Sequence, residues 1–76
     1  MNFDNYPILK ANTVINVLKK MGFYVVKTKK HHKLLMHQDC RRTIVPTHRG
    51  RIISPILLNR ILKDISIEIN EFIKYL

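Results

Sequence analysis

Three segments of the chain carry apolar residues at the spacing i, i+3, i+4 and i+7, which places four side chains on one face of a helix. The first segment ends at Gly22, which can adopt the left-handed conformation that closes a helix, and it predicts a helix over residues 11–21. The second follows a Ser-Pro pair typical of a helix start and predicts a helix over residues 55–64. The third predicts a short C-terminal helix with Ser66 as its N-cap. The apolar positions are Val14, Val17, Leu18 and Met21, then Leu58, Ile61, Leu62 and Ile65, then Ile69, Phe72, Ile73 and Leu76.

The stretch between the first two predicted helices changes to short runs of β-branched and aromatic residues separated by polar turns, a pattern typical of strands. The predicted strands cover residues 23–28, 33–37 and 43–46, with a hairpin turn at 38–41. Pro46 ends the third strand because a proline cannot donate to the ladder. The order αβββα with a further C-terminal helix predicts an α+β fold: a two-layer sandwich with a three-stranded antiparallel sheet, the helices on one face and the other face open to solvent.

The length of 76 residues predicts a single domain over 1–76, and a domain this small buries only about 60% of the surface that its unfolded chain exposes. A hydrophobic content of 46% with only two glycines is typical of a folded module. Cys40 is the only cysteine, so no internal disulfide can form and the cytoplasm is the expected compartment. Apolar runs stay well below about 18 residues, and residues 1–7 lack the features of a signal peptide. We therefore expect a soluble, unprocessed chain with no membrane partner.

The positive charge of the chain is concentrated in residues 27–51. This window holds eight of the 14 Lys and Arg residues and all four histidines against one acid, Asp39, so that it carries +7 of the net charge of +9. Such a stripe predicts a polyanionic partner, and its cations are candidate phosphate contacts. The cations are Lys27, Lys29, Lys30, Lys33, Arg41, Arg42, Arg49 and Arg51, and the histidines are His31, His32, His37 and His48.

The histidines are the candidate proton-transfer groups, because an imidazole with an ordinary pKa of about 6.5 can take a proton from a hydroxyl or return one to a leaving oxygen. In RNA the 2′-hydroxyl lies next to the phosphate it can attack, so one well-placed base can start cleavage. Strand alternation places His32 and His37 on opposite faces of the second strand. For His37 and His48, a purely structural role in a turn or at a strand end stays open.

Metal-dependent chemistry is not predicted. A zinc site needs three or four converging ligands, and the chain has one thiol and neither a CxxC nor an HExxH spacing. A two-metal nuclease needs clustered carboxylates, whereas the five acids are scattered at Asp4, Asp39, Asp64, Glu68 and Glu71. We therefore expect any nuclease activity to need no metal or other cofactor.

Four short segments in order resemble the HicA family of small mRNA-interferase toxins, over about residues 11–72. They are Gly22-Phe23, the run from Lys29 to His37, Val45-Pro46-x-His48 and Ile61-Leu62-Lys63. The spacing of His32 to His37 and to Pro46 makes His32 the match to the catalytic histidine of the family. The resemblance implies a fold similar to a double-stranded-RNA-binding domain, cleavage of messenger RNA, and a HicB-type antitoxin as partner.

One position departs from the family pattern: Lys30 stands where the family has a glycine two residues before the catalytic histidine. A lysine is bulkier and conformationally less permissive than a glycine. Three functions therefore stay open. They are an RNA-cleaving toxin with His32 as general acid or base, a binding module that holds RNA without cleaving it, and a basic protein that docks on an acidic partner without nucleic acid.

Overall fold

The computed structural model describes residue 3 and residues 5–76. Met1, Asn2 and Asp4, which belong to the stretch considered above for a signal peptide, lie outside the described residues. The elements are β1 (Leu9–Lys10), α1 (Ala11–Lys20), β2 (Tyr24–Lys29), β3 (His32–Met36), β4 (Arg42–Pro46), β5 (Ile52–Ile53), α2 (Pro55–Asp64) and α3 (Ile69–Ile73). Strands β2, β3 and β4 form an antiparallel sheet in that order. The predicted α+β fold with a three-stranded antiparallel sheet and a short C-terminal helix is confirmed.

Local sequence signals mark the end of α1 and the start of α2. Gly22 follows α1 with a φ of +98°, which only glycine adopts without strain. Ser54 precedes α2, and its hydroxyl accepts a hydrogen bond from the backbone N–H of Leu57 at 3.2 Å. Pro55 is the first residue of α2, where a missing N–H costs nothing. These are the signals from which the two helices were predicted.

The prediction for the start of the third helix is wrong. Helix α3 begins at Ile69 with Glu68 as its N-cap, and Ser66 instead has a φ of +55° in the turn that follows α2. The backbone N–H of Ile67 donates to the carbonyl of Leu62 there. Because bonds of this kind close a helix C-terminus, Ser66 belongs to the end of α2.

The helices α1 and α2 lie on one face of the sheet, because side chains from both helices and from the sheet share one core. Leu18 of α1, Leu35 of β3 and Leu62 of α2 are buried in it, and Phe72 of α3 covers its end. Burial of each such side chain stabilises the fold by about 1.5–3 kcal/mol. The rest of the core is formed by Ala11, Val14, Ile15, Val17, Phe23, Val45, Ile53, Leu58, Ile61 and Ile65. The predicted arrangement of helices on one face is confirmed.

The strand register fixes what the opposite, open face displays. A bulge between Val25 and Lys27 shifts the alternation of β2 by one residue. As a result, the outward-facing cross-strand pairs are Tyr24 with Met36, Lys27 with Leu34, Lys29 with His32, Leu34 with Ile44, His32 with Pro46, and Met36 with Arg42. The bulge therefore puts two lysines of β2 on the same face as His32.

A second, two-stranded ribbon was not predicted. Leu9 pairs with Ile53 and Lys10 with Ile52, antiparallel, and the backbone N–H of Ala11 donates to the carbonyl of Arg51. Strands of two residues are too short to show an alternating pattern in the sequence. The ribbon joins the start of α1 to the chain that enters α2.

Candidate functional site

His32 is an exposed side chain at the start of β3, on the open face of the sheet. Among the described residues, its ring has no hydrogen-bond or ion-pair partner. A groove of about 230 Å³ next to it is lined by Lys27, Lys29, Leu34 and Ile44. In this groove two cations can bind a phosphate, and the neighbouring imidazole, which has no partner among the described residues, can exchange a proton with the substrate.

A larger cleft of about 550 Å³ lies on the other side of His32, between the open face of β3–β4 and α2. The strands contribute His32, Leu34, Arg42 and Ile44 to it, and the helix contributes Leu57, Arg60 and Asp64. Arg60 and Asp64 were not predicted as site residues, because they lie on α2, outside the basic window of the sequence. The groove and the cleft share His32, Leu34 and Ile44, and His32 is the ionisable residue of these three.

The acid of this cleft is held in place by a buried hydroxyl. The Thr43 side chain, which is only 3% exposed, donates to Oδ2 of Asp64 at 3.0 Å. Neither Arg42 nor Arg60 forms an ion pair with Asp64 in the part of the chain that the structure describes. The carboxylate is thus oriented but not neutralised by its basic neighbours.

His31 and His48 come together at the end of the sheet. Their ring centroids are 5.0 Å apart, with 32° between the planes. The backbone N–H of Thr47 donates to the His31 carbonyl at 2.8 Å, which holds the turn before β3 against the segment after β4. The structure therefore makes a histidine pair from two residues that are 17 positions apart in the sequence.

A third cleft of about 340 Å³ extends from His48 and is lined by three cations, Lys10, Arg49 and Arg51. Arg49 and Arg51 were predicted as phosphate contacts. Lys10 was missed, since it lies far from them in the sequence and reaches this cleft only through the β1–β5 ribbon. His48 and His32 line no common cleft within the described residues.

His37 is separated from the other histidines. It lies five residues beyond His32, about 16 Å along a strand at about 3.3 Å per residue, and its side chain projects from the opposite face. The ring packs edge-on against Phe23, with centroids 5.1 Å apart, and Nδ1 accepts from the backbone N–H of Asp39 at 3.2 Å. These contacts are those of a residue that fixes the hairpin turn.

Arg41 is anchored in the same turn. Its Nε donates to Oδ2 of Asp39 at 2.8 Å, Nη1 donates to the carbonyl of Ile65 at 2.8 Å, and the guanidinium lies 5.3 Å from the Phe23 ring centroid. The backbone N–H of Arg41, which donates to Asp39, and the adjacent guanidinium hold the pKa of the Asp39 carboxyl below its ordinary value. Arg41 therefore ties the hairpin to the end of α2.

The two remaining predicted phosphate contacts differ in position. Lys30 is exposed in the turn between β2 and β3, next to His31. Lys33 is half-buried and pairs with Thr28 and Val45, so its side chain leaves the sheet on the face opposite to His32. An RNA backbone bound on the open face could therefore contact Lys30. To contact Lys33, it would have to pass around the edge of the sheet.

The part of the chain that the structure describes contains neither a cluster of metal-binding side chains nor a helix that could span a membrane. Over residues 5–76, no three His, Cys, Asp or Glu side chains come close enough to hold a metal ion together. None of the described helices has the length and apolar character needed to cross a bilayer.

Comparison with known proteins identifies the family. No curated protein matches the chain. The sequence model of one family, described as the HicA toxin of bacterial toxin-antitoxin, matches residues 11–67, from the first residue of α1 to just beyond α2. Since this match covers well over half of the chain, the protein belongs to the HicA family and is a toxin of a toxin-antitoxin system.

Proposed function

We propose that this toxin is an endoribonuclease that cleaves messenger RNA, with His32 as its general acid or base. The observation that carries the proposal is the position of His32, which is exposed, has no partner among the described residues, and lines both the lysine groove and the larger cleft. A catalytic imidazole must reach both a substrate hydroxyl and a phosphate. Of the four histidines, His32 alone lines a cleft that also contains cations of the open face.

The proposed reaction uses the RNA 2′-hydroxyl as the nucleophile. His32 takes the hydroxyl proton, and the 2′-oxygen forms a bond to the adjacent phosphorus. The bond from phosphorus to the 5′-oxygen of the next nucleotide breaks, and that oxygen leaves with a proton from a protonated histidine or from water. The products are a 2′,3′-cyclic phosphate and a 5′-hydroxyl, and no cofactor is required.

Lys27 and Lys29 are the proposed contacts to the reacting phosphate. Both lie on the open face beside His32, and neither is engaged in an ion pair among the described residues. Fixed cations at the position where negative charge develops stabilise a transition state more than water does. Arg42, at the far end of the open face, extends the same positive surface.

The lysine that replaces the family glycine is compatible with this turn. The described non-glycine residues with positive φ are Cys40 and Ser66, so Lys30 has an ordinary backbone conformation. The turn between β2 and β3 therefore does not require a glycine at this position. A binding module that has lost turnover is the second candidate, because a lysine at this position is bulkier than the family glycine and permits a less close approach of a phosphate.

Incubation of a long labelled RNA with excess chelator tests the proposal. We expect wild type to cut the RNA and to leave an all-deoxy strand of the same sequence intact, and we expect His32→Ala to cut neither. A retarded band on a native gel should persist for His32→Ala, since Lys27 and Lys29 remain. Intact RNA in the wild-type lane, with retardation, would instead establish the binding module. Activity that disappears with chelator and returns with a divalent ion would exclude the metal-independent mechanism.

The family implies an antitoxin partner, and we propose that it is of the HicB type and covers the open face. Tyr24 and Ile44 are exposed there to 49% and 54%, and Ile44 lines a groove together with Lys27 and Lys29, a mixture of apolar and charged side chains typical of protein interfaces. An acidic antitoxin would then compete with RNA. Its addition should stop cleavage, and Lys29→Glu should weaken the complex, whereas Lys63→Glu on α2 serves as the control.

A further inference from the structure

The cleft between the open face and α2 contains chemistry that phosphate binding does not need. Its volume of about 550 Å³ lies within the range of about 300–1,000 Å³ that is typical of small-molecule sites. Leu34, Ile44 and Leu57 give it apolar walls. A phosphate would gain nothing from these walls, whereas the flat face of a nucleobase would be removed from water against them.

The polar groups of the cleft match the edge of a base. Asp64 is the one acid lining it among the described residues, and a carboxylate repels phosphate. Oδ2 of Asp64 accepts from the Thr43 hydroxyl, which leaves Oδ1 able to accept a further hydrogen bond. A carboxylate accepts well from an exocyclic amine such as the N4 group of cytosine, and uracil has no such group.

The position of the cleft relates it to the proposed reaction. His32 lines both this cleft and the groove that contains Lys27 and Lys29. A nucleotide with its base in the cleft would therefore have its phosphate within the reach of His32 and the lysines. Only an unpaired nucleotide can present its base in this way, since the bases of an A-form duplex are stacked face to face and their major-groove edges, which include the N4 group of cytosine, are out of the reach of side chains.

We propose that the cleft lined by Leu34, Ile44, Arg60 and Asp64 binds one unstacked nucleobase with an exocyclic amine, next to the phosphate at His32. The inference rests on the proposed function, because it takes RNA as the substrate, and it makes that substrate single-stranded. Arg60, which has no ion-pair partner among the described residues, lies at the same cleft and can contact the phosphate or the carbonyl edge of that nucleotide. The cleft then selects the nucleotide at which the chain is cut.

Binding of 2′-O-methyl hexamers tests the base site independently of cleavage, since the methyl group blocks the nucleophile. Fluorescence anisotropy at fixed low salt should show that wild type binds the cytidine hexamer about tenfold more tightly than the uridine hexamer. Asp64→Asn should abolish or reverse this ratio. The amide oxygen can still accept from Thr43, but the amide nitrogen now donates toward the base. Glu68→Gln makes the same change in charge outside the cleft and should leave the ratio unchanged.

A second variant keeps the test decisive if Asp64→Asn fails to fold. Ile44 is 54% exposed, so Ile44→Ser removes a wall of the cleft without opening the core and should weaken cytidine binding about tenfold. Ile56→Ser, at a residue that is 69% exposed and lines none of the three clefts, is the matched control.

Equal affinity of wild type for the two hexamers, or an unchanged ratio in Asp64→Asn and unchanged affinity in Ile44→Ser, would overturn the base site. Neither result would bear on the cleavage of long RNA, which the chelator experiment measures. A failure of the base site would therefore be distinguishable from a failure of the ribonuclease proposal. Absence of binding to both hexamers would overturn the base site as well, and the chelator experiment would then decide separately whether RNA is cleaved.

Discussion

The rings of His31 and His48 lie 5.0 Å apart, centroid to centroid, although one residue precedes β3 and the other follows β4. The hydrogen bond from the Thr47 backbone N–H to the His31 carbonyl fixes this approach. The pair stands at the end of the sheet where β3 begins with His32. If the His31–His48 pair supplies the proton for the leaving oxygen, the two histidines act together, and loss of either one disables both.

Substitution of the pair tests this. We expect His31→Ala and His48→Ala each to lower kcat/KM for RNA cleavage at least about tenfold, and the double variant to lose no more than the worse single variant, because groups that act together give non-additive losses. Single-turnover cleavage of a short RNA measures all three. Losses that multiply would show that the two rings act independently.

His37→Ala should separate stability from activity. Loss of the contact with Phe23 and of the hydrogen bond from Asp39 should lower the free energy of unfolding by about 1–2 kcal/mol while folded protein still cleaves RNA. His32→Ala should do the reverse, since an exposed, unpartnered ring contributes less than about 0.5 kcal/mol to stability. Urea unfolding and cleavage rates of both variants check this. Loss of cleavage in a stably folded His37→Ala variant would contradict this prediction and indicate a catalytic role for His37.

Gly22→Ala should destabilise the protein more than Gly50→Ala. Both glycines have positive φ, at +98° and +71°, so both substitutions carry a backbone penalty of about 1 kcal/mol or more. A Cβ on Gly22 would in addition lie 2.8 Å from Nε2 of His37, whereas one on Gly50 would meet nothing within 4 Å. Urea midpoints compare the two. Removal of the ring in a Gly22→Ala, His37→Ala double variant should recover the excess loss, and equal losses in the two single variants would contradict the contact.

Lys27→Ala and Lys29→Ala should each weaken RNA binding and reduce the salt dependence of the affinity. Each phosphate contact adds about 0.7 to the slope of log affinity against log salt for a single strand. Filter binding at several salt concentrations measures the slope, with Lys63→Ala on the exposed side of α2 as control. If neither substitution changed the salt slope of the affinity, the RNA backbone would not contact Lys27 or Lys29.

Asp39 should make stability depend on acid pH. Its pKa in the folded protein is depressed, first by the hydrogen bond from the Arg41 backbone N–H and then by the Arg41 guanidinium, so its stabilising effect is present above the ordinary pKa of 3.8. That effect is lost as the pH falls through the lower, folded-state pKa. Wild type should therefore be more stable than Asp39→Asn at neutral pH, and the two should converge as the pH drops from about 4 toward 2. Urea midpoints across this range would contradict the prediction if the difference did not shrink.

The sequence by itself determined the two long helices, the strands of the three-stranded sheet and the position of the basic window. Helical spacing, the closing Gly22 and the Ser54-Pro55 start act within a few residues, so they can be recognised without the rest of the chain. The same holds for the placement of His32 and His37 on opposite faces of the strand, because alternation is local. The start of α3 was misplaced because Ser66 has the side chain of an N-cap, yet its backbone closes the preceding helix.

Only the tertiary structure decided which groups meet. The bulge in β2 aligned Lys27 and Lys29 with His32, and the pairing of distant segments brought His31 close to His48 and Asp64 to Thr43. It also placed the Arg41 guanidinium against the Phe23 ring and the Ile65 carbonyl. The physical reason is that contacts across a sheet, or between a helix and a sheet, depend on register and packing over the whole chain. Local spacing carries no information about them.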